Sequence, residues 1–298
     1  MLQAAAAAAA GHQHHPGATL YLVATPIGNR ADITLRALYV LMRADTVACE
    51  DTRVTAPLLA AYGLNKPLLA LHAHNENEAA ARVCERLAAG EVVAFVSDAG
   101  TPGVSDPGAR LVAAAVAAGW PVTPVPGPSS ALAALSVAGD VGAQGFVFHG
   151  FLQAKGAARE GALQAVAAGH AAQIVFEAPH RIQGLLAALA QLVPARHITI
   201  ARELTKQFEE VATLPAAQAP AWLAAQAQRV RGEFVLVLHA LAPTASAEDD
   251  LPAAARQCLA VLLDELPLKQ AVALAARISG APRNQLYRLA LLRQSAGG

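Results

Sequence analysis

The sequence predicts an α/β protein, with two α/β domains followed by a small helical domain. Three observations predict it. From Thr19 to Val125 short apolar runs alternate with helical patterns, which implies a mostly parallel sheet covered by helices. Three Pro/Gly turns, within Ala24 to Asn29, Ser97 to Gly108 and Pro126 to Ser130, each follow an apolar run and precede a helix, so they converge on one edge of one sheet. Beyond Leu251 the pattern is helical.

Taken in order, Met1 to Gly17 is an alanine run followed by His12, His14 and His15. It lacks Lys and Arg and is too short to span a bilayer, so it reads as a mobile low-complexity tail rather than a signal peptide or metal site. The first strand is Thr19 to Ala24, and Asp32 opens a helix to Arg43. Thr46 to Glu50 is a second strand, with a helix from Pro57 to Tyr62. Leu68 to Leu71 is a short strand. Asn75 is a candidate N-cap for a helix to Ala89, stopped by Gly90.

The central stretch comes next. The run Val92 to Val96 enters Ser97-Asp98-Ala99-Gly100-Thr101-Pro102-Gly103-Val104-Ser105-Asp106-Pro107-Gly108, and a helix leaves at Ala109. Such a turn at the carboxyl end of a strand is where open α/β sheets bind ligands. Gly100 and Gly103 permit unusual turns and close approach. Ser105 or Asp106 is placed to cap the helix, with Pro107 in its first turn. The turn lacks the Gly-Lys-Ser/Thr of a P-loop and the G-x-G-x-x-G fingerprint, so neither nucleotide motif is present.

Val122 to Val125 is the fifth strand. The pattern changes near residue 127, giving domains 18–126 and 127–241. The second has a helix from Ser129 to Val137 and strands at Phe146 to Phe148, Gln173 to Phe176, Ile198 to Ala201, Glu210 to Leu214 and Glu233 to His239. Helices include Ile182 to Leu192 and Ala219 to Val230. Leu241 to Glu248 reads as a linker. The last domain, 250–298, has helices at Leu251 to Leu263, Lys269 to Ile278 and Asn284 to Leu292. The tight turn Gly280-Ala281-Pro282 lies between the last two, in the manner of a helix-turn-helix.

Composition narrows the function. The 298 residues are 55% hydrophobic and 15% charged, which excludes wholesale disorder, and the formal net charge is zero. Nucleic-acid binding through overall charge is therefore excluded, but a local basic face is not. From Pro267 onward Lys269, Arg277, Arg283, Arg288 and Arg293 occur with no Asp or Glu, which suits either RNA backbone contact or a solvated helical face. Cys49, Cys84 and Cys258 form no Cys-x-x-Cys pair and suit reduced thiols of a cytoplasmic protein.

Laid out in order, Ala24-Thr25-Pro26-Ile27-Gly28-Asn29, Glu50-Asp51-Thr52-Arg53, Leu71-His72-x-His74-Asn75-Glu76 and Ser97-Asp98-Ala99-Gly100-Thr101-Pro102 make up the first half of a motif set. Pro126-Gly127-Pro128, Phe176-Glu177-x-Pro179-His180-Arg181, Ala201-Arg202-Glu203-Leu204-Thr205-Lys206 and Glu265-Leu266-Pro267-Leu268-Lys269 complete it. With these residues the chain resembles the ribosomal RNA small subunit methyltransferase I family, of the tetrapyrrole-methylase fold, from about Thr19 to Leu292. It departs at Arg30, where a leucine is expected. The resemblance implies S-adenosylmethionine (SAM) as methyl donor and 2'-O-methylation of a decoding-region cytidine in 16S ribosomal RNA. It also implies a homodimer in the cytoplasm, with no membrane and no metal.

The resemblance also implies site residues. SAM is placed against Pro26, Asp98, Ala99, Gly100, Thr101, Val104, Ser129, Ser130, Phe176 and Glu177. Asp98 either favours the donor's charge or braces its loop. A ribose hydroxyl is a poor nucleophile until its proton is removed, and Glu177, His180 and Glu203 are the catalytic candidates. Glu177 could instead pair with Arg181. Arg53, Arg181, Arg202, Lys206, Lys269, Arg283 and Arg288 are RNA-phosphate candidates or structural salt bridges. His72, His74 and Glu76 read as polar residues of the cleft or a helix cap. The rival readings are a tetrapyrrole methylase of the same fold and a non-catalytic binder.

Overall fold

The computed structural model describes residues 1–72, 75–241 and 251–296, with side chains to residue 291. They form two compact units, Met1–Ala240 and Leu241–Gly298. Both sheets lie in the first, so no boundary between compact units falls near residue 127.

That unit opens with a helix, α1 (Leu2–Ala10), where the sequence suggests a mobile tail. Alanine is the strongest helix former, and its small side chains let Ala6 and Ala10 pack with no exposed surface. Gln3 ties the helix down by donating to the carbonyls of Tyr62 and Gly63, and the His15 ring lies 5.0 Å from that of Tyr39.

The first sheet contains β1 (Leu20–Val23), β2 (Thr46–Cys49), β3 (Leu68–Ala70), β4 (Val93–Val96) and β5 (Val122–Val125). Its order is β3-β2-β4-β1-β5 and every pairing is parallel. All five strands therefore end on one edge. The connecting helices are α2 (Leu35–Arg43), α3 (Thr52–Ala61), α4 (Glu76–Ala88) and α5 (Ala109–Ala117). The inner strands β1, β2 and β4 are covered on both faces, which is why they read as largely apolar runs. Helix α3 starts at Thr52, five residues before Pro57, because the Asp51 carboxylate accepts the Arg53 N–H at 2.8 Å and caps it.

One capping expectation gives way to a tertiary contact. Neither Ser105 nor Asp106 caps α5. Pro107 lies outside the helix and Gly108, at φ +125°, is its N-cap. The free N–H groups of Gly108 and Arg110 donate instead to Glu76 Oε1, at 2.9 and 3.2 Å. Asn75 stands at the N-cap position of α4, as expected, but its side chain makes no capping hydrogen bond. Its side chain accepts from His72 N–H and donates to the Ala70 carbonyl, bracing the turn. His74 and residues 242–248 of the expected linker lie outside the described residues.

The second sheet is mixed, in the order β6 (Phe146–Phe151), β7 (Ala172–Glu177), β10 (Phe234–Leu238), β8 (His197–Arg202) and β9 (Glu210–Pro215). Only the β6–β7 pairing is parallel. Helices α6 (Ser130–Ala138), α7 (Ala157–Ala168), α8 (Ile182–Leu192) and α9 (Ala219–Ala224) accompany it. The helix expected to run from Ala219 to Val230 breaks at Gln226, which is extended, and resumes as a short 3-10 turn. Arg229 causes the fold-back. It donates to the Trp222 carbonyl at 2.7 Å, stacks over the Trp222 ring and pairs with Glu210. Arg196 is buried and donates to the carbonyls of Val166, Ala167, Gly169, Ala171 and His239, tying the loops at that end of the sheet.

The second unit contains α10 (Ala253–Glu265), α11 (Leu268–Ser279) and α12 (Arg283–Ala296) around Leu259, Val272 and Leu286. Gly280, left-handed at φ +69°, ends α11.

Candidate active site

The three Pro/Gly turns meet. Thr25 and Gly100 exchange backbone hydrogen bonds at 2.9 and 3.0 Å, and the Thr101 hydroxyl donates to the Pro128 carbonyl at 3.0 Å. A loop of the second sheet closes over the first turn. A Cβ on Gly28 would lie 2.5 Å from Lys206 Cγ and 2.9 Å from Thr205 Oγ1, so only glycine fits there.

These turns and the ends of β7, β8 and β10 enclose a cavity of 330 Å3, with an annexe of 80 Å3 beside it. The walls are mainly apolar, from Ile27, Phe151, Phe176, Leu204, Phe234 and Val235. Of the ten residues placed against SAM, eight line one or both spaces: Ala99, Gly100, Thr101, Val104, Ser129, Ser130, Phe176 and Glu177. Pro26 and Asp98 line neither. Ile27 takes the place expected of Pro26. Asp98 braces the loop instead, its Oδ1 accepting the Asp51 N–H at 3.1 Å between the ends of β2 and β4.

Sequence reasoning missed Asp106, which lines both spaces. Burial, then the charges of Glu50 and Asp98, push its carboxyl up to about 6, against an opposing hydrogen bond from Ser97. Burial also raises the carboxyls of Glu50 and Asp98. Asp106 is thus an under-compensated acid in the cavity wall, under the influence of Glu50 and Asp98 outside the lining. The signal is present as a second acid, after Asp98, in the turn Ser97 to Gly108, where the pattern suggests a helix cap.

The three catalytic candidates occupy different environments. Glu177 is buried in the cavity wall. Its Oε1 accepts from Arg181 Nε at 2.6 Å and from its own neighbour's N–H, Ala178, at 3.0 Å, while Oε2 accepts from Arg159 Nη2 at 2.9 Å. The suspected Glu177–Arg181 pair is therefore present, and Arg159 of α7 completes a triad that sequence spacing did not reveal. Glu203, at φ +50°, accepts from Lys206 Nζ and from Glu233 N–H, both at 2.9 Å. Burial pulls its carboxyl upward, but Lys206, the Glu233 amide and Arg202 outweigh that and hold it low. His180 is exposed on a neighbouring groove, and among the described residues no hydrogen bond to its ring is present.

The basic residues divide in the same way. Arg202 is buried and its guanidinium is committed to three backbone carbonyls, so the RNA-phosphate assignment is corrected: it is an internal clamp. Arg181 and Lys206 are largely engaged with Glu177, Glu203 and Glu233. Arg53 is exposed and chelates Asp51. Lys269, Arg283 and Arg288 are exposed on the helical unit, as is Arg277. Glu76 joins α4 to the start of α5.

Residues 19–220 match the family described as Tetrapyrrole (Corrin/Porphyrin) Methylases, and residues 249–294 match the RsmI C-terminal HTH domain. The ribosomal RNA small subunit methyltransferase I of Pseudomonas aeruginosa is 48% identical over 93% of this chain and 98% of its own. The chain belongs to that family. The enzyme of the same name from Neisseria meningitidis serogroup B is 46% identical over 92% of this chain and 94% of its own. The solved uroporphyrin-III-C-methyltransferase of Thermus thermophilus has a TM-score of 0.54 at 23% identity, covering 74% of this chain and 94% of that one, a likeness of fold. Membership makes the chain a methyltransferase with SAM as its donor. The cavity fits that group. Apolar walls suit the adenosine, Ser129 and Ser130 offer hydrogen bonds, and the Asp106 carboxyl suits a cation.

Proposed function

We propose that this chain transfers the SAM methyl group to the ribose 2'-oxygen of a decoding-region cytidine in 16S ribosomal RNA of the small ribosomal subunit, in the cytoplasm. The observation that carries the RNA reading is the helical unit. Lys269, Arg277, Arg283 and Arg288 are exposed on helices α11 and α12, which bear no Asp or Glu. A small-molecule methylase has no use for such a surface, whereas phosphates do. The names of the relatives point the same way.

SAM supplies an electrophilic methyl group on a cationic sulfur. The protein's task is alignment, because an in-line displacement is accelerated chiefly by holding donor and acceptor together. Gly100 and Thr101 form the turn against which the donor lies. Asp106 opposes its positive charge, and Phe151, Phe176 and Phe234 exclude water. Glu177, with both oxygens accepting from guanidinium groups, is committed to Arg159 and Arg181 and is not the proton acceptor. Glu203 likewise holds Lys206 and the 233 amide. His180 remains as the group that takes the hydroxyl proton, since its ring is exposed beside the cavity at Pro179. Arg53, Lys269, Arg283 and Arg288 contact phosphates.

A second copy of the chain covers the edge of the second sheet. Strand β6 is unpaired on its outer side and exposes Phe146, Val147 and Phe151, while α6 exposes Leu132 and Val137. No helix among the described residues is long and apolar enough to cross a membrane.

Purified protein, methyl-labelled SAM and small subunits lacking the modification test the acceptor. Label in the RNA supports the reading. Label only in a tetrapyrrole offered in parallel contradicts it.

A further inference from the structure

Beside the donor cavity lies a more open groove of 470 Å3, lined by Pro179, His180, Gln183, Val230, Arg231 and Gly232. Pro179 lines both spaces, and Gly232 in the groove is followed by Glu233 in the cavity. A ribose presenting its hydroxyl to the cavity at this junction leaves the next nucleotide of the strand in the groove.

The groove is built for an anion. None of its lining residues is acidic. Arg231 is exposed, and among the described residues its guanidinium makes no ion pair or hydrogen bond. Gln183 stands in the first turn of α8, so the positive end of that helix adjoins the groove.

The wall carrying Arg231 is fixed from behind. Arg202 donates to the carbonyls of Arg231 at 2.7 Å, Gln228 at 2.9 Å and Phe208 at 3.2 Å. Gly232, at φ +93°, packs against the Glu203 side chain so closely that a Cβ would lie 2.5 Å from Cγ. Glu203 in turn accepts the Glu233 N–H. The backbone is thus clamped on both sides of Arg231 while its side chain stays uncommitted. A group held in this way loses less freedom on binding.

We infer that this groove seats the nucleotide next to the acceptor ribose, with Arg231 on its phosphate, and that Arg202 and Glu203 are positioning residues for Arg231. The inference rests on RNA being the acceptor.

The test compares wild type, R231Q and R231K in methyl transfer to small subunits across a salt series, with SAM affinity measured separately. R231Q is expected to raise KM for subunits about tenfold, leave kcat within about twofold, and lower the salt slope of log KM by about one. R231K recovers most of the loss, and SAM affinity is unchanged in both, which also shows that the variants fold. Wild-type KM and salt slope in R231Q overturn the inference, as does a loss of SAM affinity. A wild-type protein that transfers nothing to subunits removes the acceptor reading and the inference with it, whereas an active wild type with an indifferent R231Q removes the inference alone.

Discussion

Replacing Asp106 with Asn isolates the acid in the wall of the donor cavity. The Asp106 carboxyl is raised from 3.8 to about 6, by burial first and then by Glu50 and Asp98. That rise is worth about 3 kcal/mol between the protonation states, and solvent at a half-buried side chain reduces it to roughly 1–2 kcal/mol. Because the folded value lies above the unfolded one, the contribution to stability is fully present below pH 3.8 and is lost as pH rises through about 6. At pH 7.5 the ionised carboxylate therefore burdens the protein without SAM. D106N should raise the thermal midpoint there by roughly 3 °C and lose that advantage near pH 4. SAM binding should show the opposite trend, since a bound cation relieves the charged site. Wild-type affinity, measured by calorimetry, is expected to rise about tenfold between pH 5 and 7, with an accompanying proton release that D106N abolishes. Equal pH profiles for wild type and D106N would refute the electrostatic role.

Gly108→Ala places a Cβ 2.5 Å from Phe95 Cε1 in a backbone at φ +125°, and denaturant unfolding should show a loss of about 2–4 kcal/mol. Glu177→Gln leaves Arg159 and Arg181 without their buried counter-charge. It is expected to cost about 3–5 kcal/mol and weaken SAM binding, rather than to abolish turnover in an otherwise stable protein. Arg196→Met removes the donor shared by five backbone carbonyls, of which those of Val166 and Ala171 keep another donor, and should cost roughly 2–4 kcal/mol in a urea titration, with little change in SAM affinity at 25 °C.

The architecture of the first sheet is legible because its inner strands are buried on both faces and its turns carry Pro and Gly. Val122–Val125 and Ile182–Leu192 have the bounds expected from the residue pattern. Errors occur where a distant side chain decides a local matter. Glu76, not Ser105 or Asp106, serves the start of α5, and no window around Gly108 contains it. Gln226 interrupts a good helical pattern because Arg229 and Arg202 claim the carbonyls around it. Alanine at the N-terminus resembles low complexity until α2 offers it a flat partner. The site follows the same rule. Backbone positions such as Gly100 and Thr101 are set by the turn and line the smaller space, whereas charged residues change meaning with their partners. Arg202 has the composition of a phosphate contact and the surroundings of a core clamp. Arg159 reaches Glu177 from α7, a helix the motifs do not mention.

The most direct test of the central claim is the chemical position of the transferred methyl. RNA labelled by this protein in small subunits is isolated and hydrolysed in alkali, which cleaves next to a free 2'-hydroxyl. The account predicts label in one alkali-resistant dinucleotide containing a decoding-region cytidine. Label recovered in mononucleotides, and hence on a base, would contradict it.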